Sequence, residues 1–293
     1  MTRSRKDQES LQRETDASMQ CGIVLHPAGH TRSPAMHNAA YRALGLHAHY
    51  EAYDVPPSEL ARAVEDFRRR ALRQWAVSIP HKEAMLELVD EVDPVARAIG
   101  AINTVTRMGD RLVGTNTDWI GALRALERVA PIAGQRAVVL GAGGTARALV
   151  YGLRQRRCEV IVLNRTRERA EELVRELGAN ASGALSELAG IAPEIVVNTT
   201  SVGLDEDVSP VAKDAFAAGM IVLDAVYSPA RTRLLREAES RGARIVGGKW
   251  MLVYQAVEQL RLWTRLLPDG PSDEEIDGIV DTMAAAFDEA GRA

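Results

Sequence analysis

The sequence predicts an α/β fold in two parts: an N-terminal α/β unit followed by a doubly wound parallel sheet. Three observations carry that expectation. Residues 136–166, RAVVLGAGGTARALVYGLRQRRCEVIVLNRT, read as strand, glycine turn, helix and second strand. Beyond them, short apolar runs alternate with helical patterns, as in a βαβ series. The glycine turn begins near the middle of 293 residues, so more than a hundred residues ahead of it form something else.

The elements follow in order. Residues 1–19 alternate in charge and have no apolar core, so they read as a solvated tail and not a secretory signal. Cys21 to Leu25 is a short strand. Ser33 to Leu44 is a helix with Ser33 as N-cap and Pro34 at N1, stopped by Gly45. His47 to Val55 is a strand, Ser58 to Leu72 a charged amphipathic helix, and Trp75 to Ile79 a strand ended by Pro80. Helical segments are expected near Lys82–Val89 and Pro94–Ile99. Ile102 to Thr106 and Arg111 to Val113 pair around Met108-Gly109-Asp110, and Trp119 to Val129 is a helix. The second half places strands at Ala137–Leu140, Glu159–Leu163, Ile195–Asn198, Met220–Asp224 and Arg244–Val246, with helices between them. A long helix over 250–265 and another near Asp273–Ala290 close the chain. The expected domains are 20–118, completed by helices within 250–293, and 119–249.

Composition narrows the function. Hydrophobic residues at 46% and charged residues at 26% are those of an ordinary globular protein. A net charge of -4 offers no basic footprint for nucleic acid. No apolar run approaches the roughly 18 to 20 residues needed to span a bilayer. Cys21 and Cys158 cannot build a disulfide framework and lie beside strand-like runs, as reduced thiols do in a cytoplasmic protein. All six histidines fall between 26 and 81. His47 and His49 share a strand face without recognisable Cys or carboxylate partners, so no metal site is expected.

The glycine turn carries the first chemistry. Gly141 and Gly143 let the backbone turn tightly and approach a pyrophosphate, and Gly144 permits close helix–strand packing. The helix that follows offers free N–H groups to phosphates. A ligand-free glycine turn shares the local pattern. The strand, turn, helix and second strand in register favour a Rossmann-type dinucleotide site. A site for NAD usually carries Asp or Glu at the end of the second strand. Here Asn164-Arg165-Thr166 stands there, with Arg167 and Arg169 behind. A cation can pair with a 2′-phosphate, which favours NADP over NAD. Arg165 is the preferred partner, while Arg167 or Arg169 could equally be a solvated helix face.

Three segments of the first half resist a purely structural reading. Gly29-His30-Thr31-Arg32-Ser33-Pro34 puts two hydroxyls in a loop, able to reach an anion or polyol, although Ser33 could simply cap its helix. In Val77-Ser78-Ile79-Pro80-His81-Lys82, a lysine opens a helical segment against the helix dipole. In Gly114-Thr115-Asn116-Thr117-Asp118, the aspartate heads a helix, where N-capping alone would explain it. Lys82 and Asp118 are a candidate acid–base dyad.

With these motifs in hand, the chain resembles the shikimate dehydrogenase family, which includes quinate/shikimate dehydrogenases. The resemblance covers residues 20 to about 265. It rests on HTRSPAMHNAA, VSIPHKE, AINTV, NTD, GAGGTAR, NRT, NTTSVG and MLVYQA in that order. It implies that Lys82 and Asp118 flank the reacting ketone or alcohol of a cyclic hydroxy acid. Thr31, Ser33, Ser78, Asn103, Tyr227 and Gln255 would bind the ring substituents. Gly141, Ala142, Gly143, Gly144, Thr145, Ala146, Asn164, Arg165, Thr166 and Arg169 would contact NADP, with Thr200 and Gly248 near the nicotinamide. The expected reaction is reversible reduction of 3-dehydroshikimate to shikimate, by a monomer or homodimer. No metal is required.

The chain departs from the family's usual pattern in places. Thr31 replaces a serine, Ser78 a threonine and Trp119 a glycine, and Gly248-Lys249-Trp250 replaces Gly-Leu-Gly. These changes are expected to bear on substrate choice among shikimate, quinate and an amino-substituted relative. A silent ligand-binding sensor is the rival from another class. The presence of both Lys82 and Asp118 argues against it.

Overall fold

Two six-stranded sheets, one in each half of the chain, organise the described residues. In the computed structural model these are residues 18–29 and 31–292. Residues 1–17 of the expected tail, and His30 of the Gly29–Pro34 loop, lie outside the described residues.

The first sheet contains β1 (Met19–Leu25), β2 (Ala48–Asp54), β3 (Gln74–Val77), β4 (Glu91–Val92), β5 (Thr104–Met108) and β6 (Arg111–Thr115). Their order is β2-β1-β3-β5-β6-β4. Strand β1 runs parallel to both neighbours, while β3, β5 and β6 alternate in direction. Central β3 is buried throughout, whereas edge β2 fully buries only Tyr50. Helices α1 (Ser33–Ala43), α2 (Leu60–Arg69) and α3 (Pro94–Ile99) flank the sheet. One face packs Met36, Tyr41 and Tyr50; the other packs Phe67, Leu72 and Trp75.

After α4 (Asp118–Glu127), the second sheet runs through β7 (Arg136–Leu140), α5 (Gly144–Gln155), β8 (Glu159–Leu163), α6 (Arg167–Leu177), β9 (Ala181–Gly183) and α7 (Leu188–Ile191). It continues with β10 (Ile195–Asn198), β11 (Ile221–Asp224), α8 (Arg233–Ser240) and β12 (Arg244–Gly247). All pairs are parallel, in the order β12-β11-β10-β7-β8-β9. Helices on both faces explain why Ala137 to Leu140 are all buried apolar residues. The chain reverses its direction of growth at β7, and a crevice opens beyond the strand ends at such a switch point.

Helix α9 (Gly248–Thr264) leaves the second sheet and buries Val253, Val257, Leu260 and Trp263 in the core of the first. It crosses α4 at Gly121, where a Cβ would stand 2.7 Å from Met251 O and 2.8 Å from Gln255 Cβ. The close crossing is what carries Gln255 toward the first sheet. Two helices, α10 (Asp273–Gly278) and α11 (Val280–Ala290), end the chain.

The α/β class and the long returning helix agree with expectation; several local readings do not. Strand β1 begins at Met19, inside the expected tail. Lys82–Val89 yields only a one-turn 3₁₀ segment, Ala84–Glu87, so Lys82 stands in a turn and opposes no helix dipole. Ser33 is the first helical residue behind Arg32, with Pro34 second, so Ser33 is not the cap. The helix expected over Asp273–Ala290 is two, divided at Ile279. Strands β4 and β9 have two and three residues, too few to show a period in sequence.

Candidate active site

The hairpin of β5 and β6 builds one wall of the site. Gly109 adopts φ +63 at the turn, and pairing runs from Met108↔Arg111 to Thr104↔Thr115. The open end of that hairpin therefore places Asn103 beside residues 116–118. Antiparallel β3 ends at the same edge: Val77 N–H donates to Asn103 O across 2.7 Å, and Ile102 N–H to Lys82 O across 2.8 Å. Parallel β1 ends there too, with Ser78 N–H donating to Val24 O across 2.9 Å. Segments far apart in sequence thus bring Lys82, Asn103 and Asp118 together, with Ser78 at the same end of the sheet.

Lys82 and Asp118 meet. Lys82 Nζ donates to Asp118 Oδ2 across 2.6 Å and to Thr145 Oγ1 across 3.1 Å. The two side chains are 14% and 6% exposed, so the pair is shielded from bulk screening. Asp118 Oδ1 accepts from Asn103 Nδ2 at 2.8 Å, and Asp118 N–H donates to Asn116 Oδ1 at 3.0 Å. Asp118 is the first residue of α4, where the helix N-terminus also favours a carboxylate. The capping explanation fails: the carboxylate faces Lys82 and Asn103, and Thr117 occupies the cap position.

Further polar groups hold this arrangement. Thr104 Oγ1 donates to Asn103 Oδ1 at 2.8 Å, and Gln259 Nε2 donates to Thr104 Oγ1 at 2.9 Å. Gln255 Oε1 accepts from Asn103 Nδ2 at 3.1 Å, and Gln255 Nε2 donates to Leu252 O at 2.9 Å. Sequence reasoning does not single out Thr104, Asn116, Thr117 or Gln259 as individual site residues. The signals that could have found them are the asparagine of NTD and the spacing of Gln255 and Gln259 on one helix face.

A cleft of about 480 Å³ lies between the two sheets, with Thr31, Ser78, Lys82, Gly143, Thr145 and Tyr227 among its walls. Thr31 Oγ1 accepts the N–H of Ser33 at 3.4 Å, and Ser33 itself is buried. Tyr227 packs edge-on against Phe287, with ring centroids 5.7 Å apart. Burial raises the Tyr227 pKa, and the adjacent Thr31 hydroxyl draws it partly back.

The dinucleotide turn fits its expected ligand. Gly141 has φ +109, and a Cβ there would meet Thr199 Oγ1 at 2.6 Å. A Cβ on Gly143 would instead project into open space, leaving backbone exposed for a pyrophosphate. Gly144 corrects one expectation. A Cβ there would stand 2.9 Å from Lys82 Cβ, so its close packing is against the lysine stem and Ala101. Strand β8 is followed by Asn164, whose Nδ2 donates to Thr166 O at 2.9 Å. Exposed Arg165 and Arg169 come next, and neither has a carboxylate partner among the described residues. Arg167 pairs with Glu171 at 3.1 Å and belongs to the solvated face of its helix. Thr200 lines the cleft and donates its hydroxyl to buried Asn198 Oδ1 at 2.7 Å. Gly248 is buried, close against the Asp224 and Ala225 carbonyls.

Of the departures from the family pattern, Thr31 and Ser78 line the cleft, whereas Trp119, Lys249 and Trp250 do not. Trp119 packs edge-on against Tyr151 at 5.5 Å, between α4 and α5. Lys249 pairs with Asp288 at 2.7 Å, and Trp250 lies under the Arg128 guanidinium at 3.8 Å. Both line a separate groove with Phe287. His81 is buried, its Nε2 2.7 Å from Val55 O, and faces neither cleft nor solvent. Among the described residues, no three His, Cys, Asp or Glu side chains converge as metal ligands would.

Two family models match: the shikimate dehydrogenase substrate binding domain over residues 23–105, and shikimate / quinate 5-dehydrogenase over residues 124–210. The shikimate dehydrogenase (NADP(+)) of Thermococcus kodakarensis is 43% identical over 254 residues, spanning 85% of this chain and 92% of its own. The shikimate 5-dehydrogenase of Thermus thermophilus, solved with NADP(H) and shikimate, is 39% identical with a TM-score of 0.81. That match covers 92% of this chain and 99% of the other. A 5-ketofructose reductase of a Gluconobacter species also superposes, at 31% identity and TM-score 0.79 over 94% of this chain and 99% of its own. Similarity of this extent in both sequence and structure shows that the chain belongs to the shikimate dehydrogenase family.

Proposed function

We propose that this chain catalyses the reversible reduction of 3-dehydroshikimate to shikimate with NADPH. The observation that carries the reading is the Lys82–Asp118 pair, set at a cleft shared with the dinucleotide turn. Relatives named for this reaction and this cofactor support it.

Bound NADPH supplies the hydride. Reduction of a ring ketone builds negative charge on its oxygen, and the Lys82 ammonium stabilises that charge and gives up a proton. In the reverse direction the lysine amine accepts the proton from the alcohol. Asp118 keeps the lysine aimed at the reacting oxygen through its 2.6 Å contact. Thr31, Ser33, Ser78, Asn103, Tyr227 and Gln255 are assigned to the carboxylate and hydroxyls of the ring. Gly141 to Ala146 are assigned to the pyrophosphate, and Arg165 with Arg169, beside Asn164 and Thr166, to the 2′-phosphate. Thr200 and Gly248 are assigned to the nicotinamide end. The first sheet with its returning helices is the substrate domain, and the second sheet the cofactor domain. We place the enzyme in the cytoplasm, where its two unpaired, buried thiols stay reduced.

Steady-state kinetics with shikimate and quinate, each against NADP and NAD, test the reading. Shikimate with NADP is expected to be the preferred pair; preference for quinate or for NAD would overturn that part. Lys82→Met should lower kcat by about 10²- to 10⁴-fold with shikimate binding largely kept. Unchanged turnover in that variant would remove Lys82 from the mechanism.

A further inference from the structure

We infer that Thr145 is a positioning residue for Lys82, so that the seat of the dinucleotide helix sets the direction of the proton-transfer group. The inference rests on the role proposed above for Lys82. An ammonium group has three N–H donors. Asp118 takes one at 2.6 Å and Thr145 Oγ1 a second at 3.1 Å, which leaves the third for a reacting oxygen in the cleft. With Asp118 as sole partner, the flexible lysine stem can swing around the carboxylate. A second acceptor from another direction removes that freedom. Thr145 suits the task because its branched side chain has few χ1 rotamers open to it.

The two acceptors come from different halves of the chain. Asp118 follows the first sheet, while Thr145 is the second residue of α5 in the other. The same turn of α5 is seated on the lysine segment by two further contacts. Gly144 lies against the Lys82 stem, with room for no Cβ. Arg147 Nε donates to Ile99 O at 2.7 Å, while its guanidinium also pairs with Glu176. Lys82 is in turn tied to this stretch, since its carbonyl accepts from Ile102 N–H at 2.8 Å. A shift of α5 against residues 99–102 therefore moves Thr145 relative to Lys82. The N-terminus of α5 is also the end that offers N–H groups to phosphates. Cofactor seating and lysine direction thus share one helical turn. The turn aligns the proton-transfer group when the two halves are docked.

The test compares Thr145→Val, which keeps the shape and removes the acceptor, with Thr145→Ser, which keeps the acceptor. Affinity for NADPH is measured separately by titration without substrate. Thr145→Val should lower kcat by about 10- to 100-fold, the range that misplacement of a catalytic group produces. Thr145→Val keeps the backbone N–H that the turn offers to the pyrophosphate, so both KM values and the NADPH affinity should stay within about threefold, and Thr145→Ser should recover most of the loss. On a Lys82→Met background, Thr145→Val should add little further loss, because residues acting as a unit are not additive. Wild-type kcat in Thr145→Val would overturn the inference. So would a defect confined to NADPH affinity, which would make Thr145 a phosphate ligand only. So would a full additional loss on the Lys82→Met background. Wild-type turnover of Lys82→Met alone would instead strike at the role of Lys82, with the loss in Thr145→Val then needing another origin.

Discussion

The backbone N–H of Thr117 points at Asn103 Oδ1 across 2.7 Å. A backbone N–H can only donate, so the atom it meets is the amide oxygen. The amide nitrogen must then face Asp118 Oδ1, 2.8 Å away, and Gln255 Oε1, 3.1 Å away. One main-chain group therefore fixes the polarity of the whole cluster. Asn103 Nδ2 donates toward Asp118, Gln255 and Thr117, and Asp118 accepts from both Asn103 and Lys82.

This polarity makes Asn103→Asp an informative change. The substitution is nearly isosteric, yet it sets a carboxylate oxygen where a donor stood 2.8 Å from Asp118. Two carboxylates that close oppose joint ionisation, so one is driven to hold a proton. The expected result is a fall in kcat/KM for shikimate oxidation of about 10³-fold or more. Loss of the donor against buried Asp118 should also destabilise the fold by about 1–3 kcal/mol. Steady-state rates and urea unfolding check both. Activity within tenfold of wild type would show that the polarity of this cluster is dispensable.

On the proposed assignment, Arg165 and Arg169 set the preference for the phosphorylated cofactor. Removing a charge-assisted bond costs about 1.5–3 kcal/mol, or roughly 10- to 100-fold. Arg165→Ala should raise the KM for NADP by that factor and leave the KM for NAD within about twofold. Arg169→Ala should do the same to a smaller extent. An equal effect on both cofactors would show that the arginines serve general attraction and not the 2′-phosphate.

Gly144→Ala separates two consequences of one methyl group. By backbone entropy alone, alanine in a helix is favoured by about 0.5–1 kcal/mol. The added Cβ, however, would stand 2.9 Å from Lys82 Cβ and 3.3 Å from its Cδ. Neither the helix nor the lysine segment can yield cheaply, because Arg147 and Ile102 tie them to the same stretch. The expected outcome is a kcat lowered by about tenfold or more, since small displacements of a reacting group are costly. Wild-type kcat with raised stability would show that α5 has slack at this point.

Much of the architecture is legible in the sequence because it repeats short-range rules. Glu159–Leu163 and Ile195–Asn198 appear where their apolar runs predict, because helices on both faces demand continuous apolar strands. Ordered motifs likewise mark Lys82, Asp118 and the glycine turn. What stays hidden depends on long-range pairing. Nothing local to Gly144 announces that it packs on Lys82, more than sixty residues earlier. Nothing local to Thr104 or Gln259 shows that they meet beside Asn103. Trp119, Lys249 and Trp250 look like changes to the cleft by their place in the motifs. Their side chains turn instead to Tyr151, Asp288 and Arg128, because helical neighbours in sequence point in different directions. The hydroxyl exchanges at Thr31 and Ser78 do line the cleft and are the better candidates for tuning the substrate.

His37 sets a pH limit on the fold, apart from the chemistry. It lies buried on α1, stacked on Tyr50 with ring centroids 4.1 Å apart and planes 2° from parallel. Burial lowers its pKa to about 3, with Gln259 pulling it partly back. In the unfolded chain a histidine titrates near ~6.5. Below that pH the unfolded state binds a proton that the folded state refuses, so stability falls as pH drops from ~6.5 toward about 3. His81, also lowered by burial, acts with the same sign. Carboxylates held low by arginines, such as Asp90 and Asp273, add their loss only at more acidic pH, near the ordinary carboxylate range. In the window from about pH 6.5 to 5 the low-held carboxylates contribute little, and comparison with a His37 variant separates His37 from His81 and from buried Asp224, whose carboxyl is raised by burial. His37→Phe keeps a ring against Tyr50 and removes the titration. Urea midpoints measured across that window should fall with decreasing pH in the wild type and fall much less in His37→Phe. Equal slopes in the two proteins would show that His37 gains a proton without unfolding.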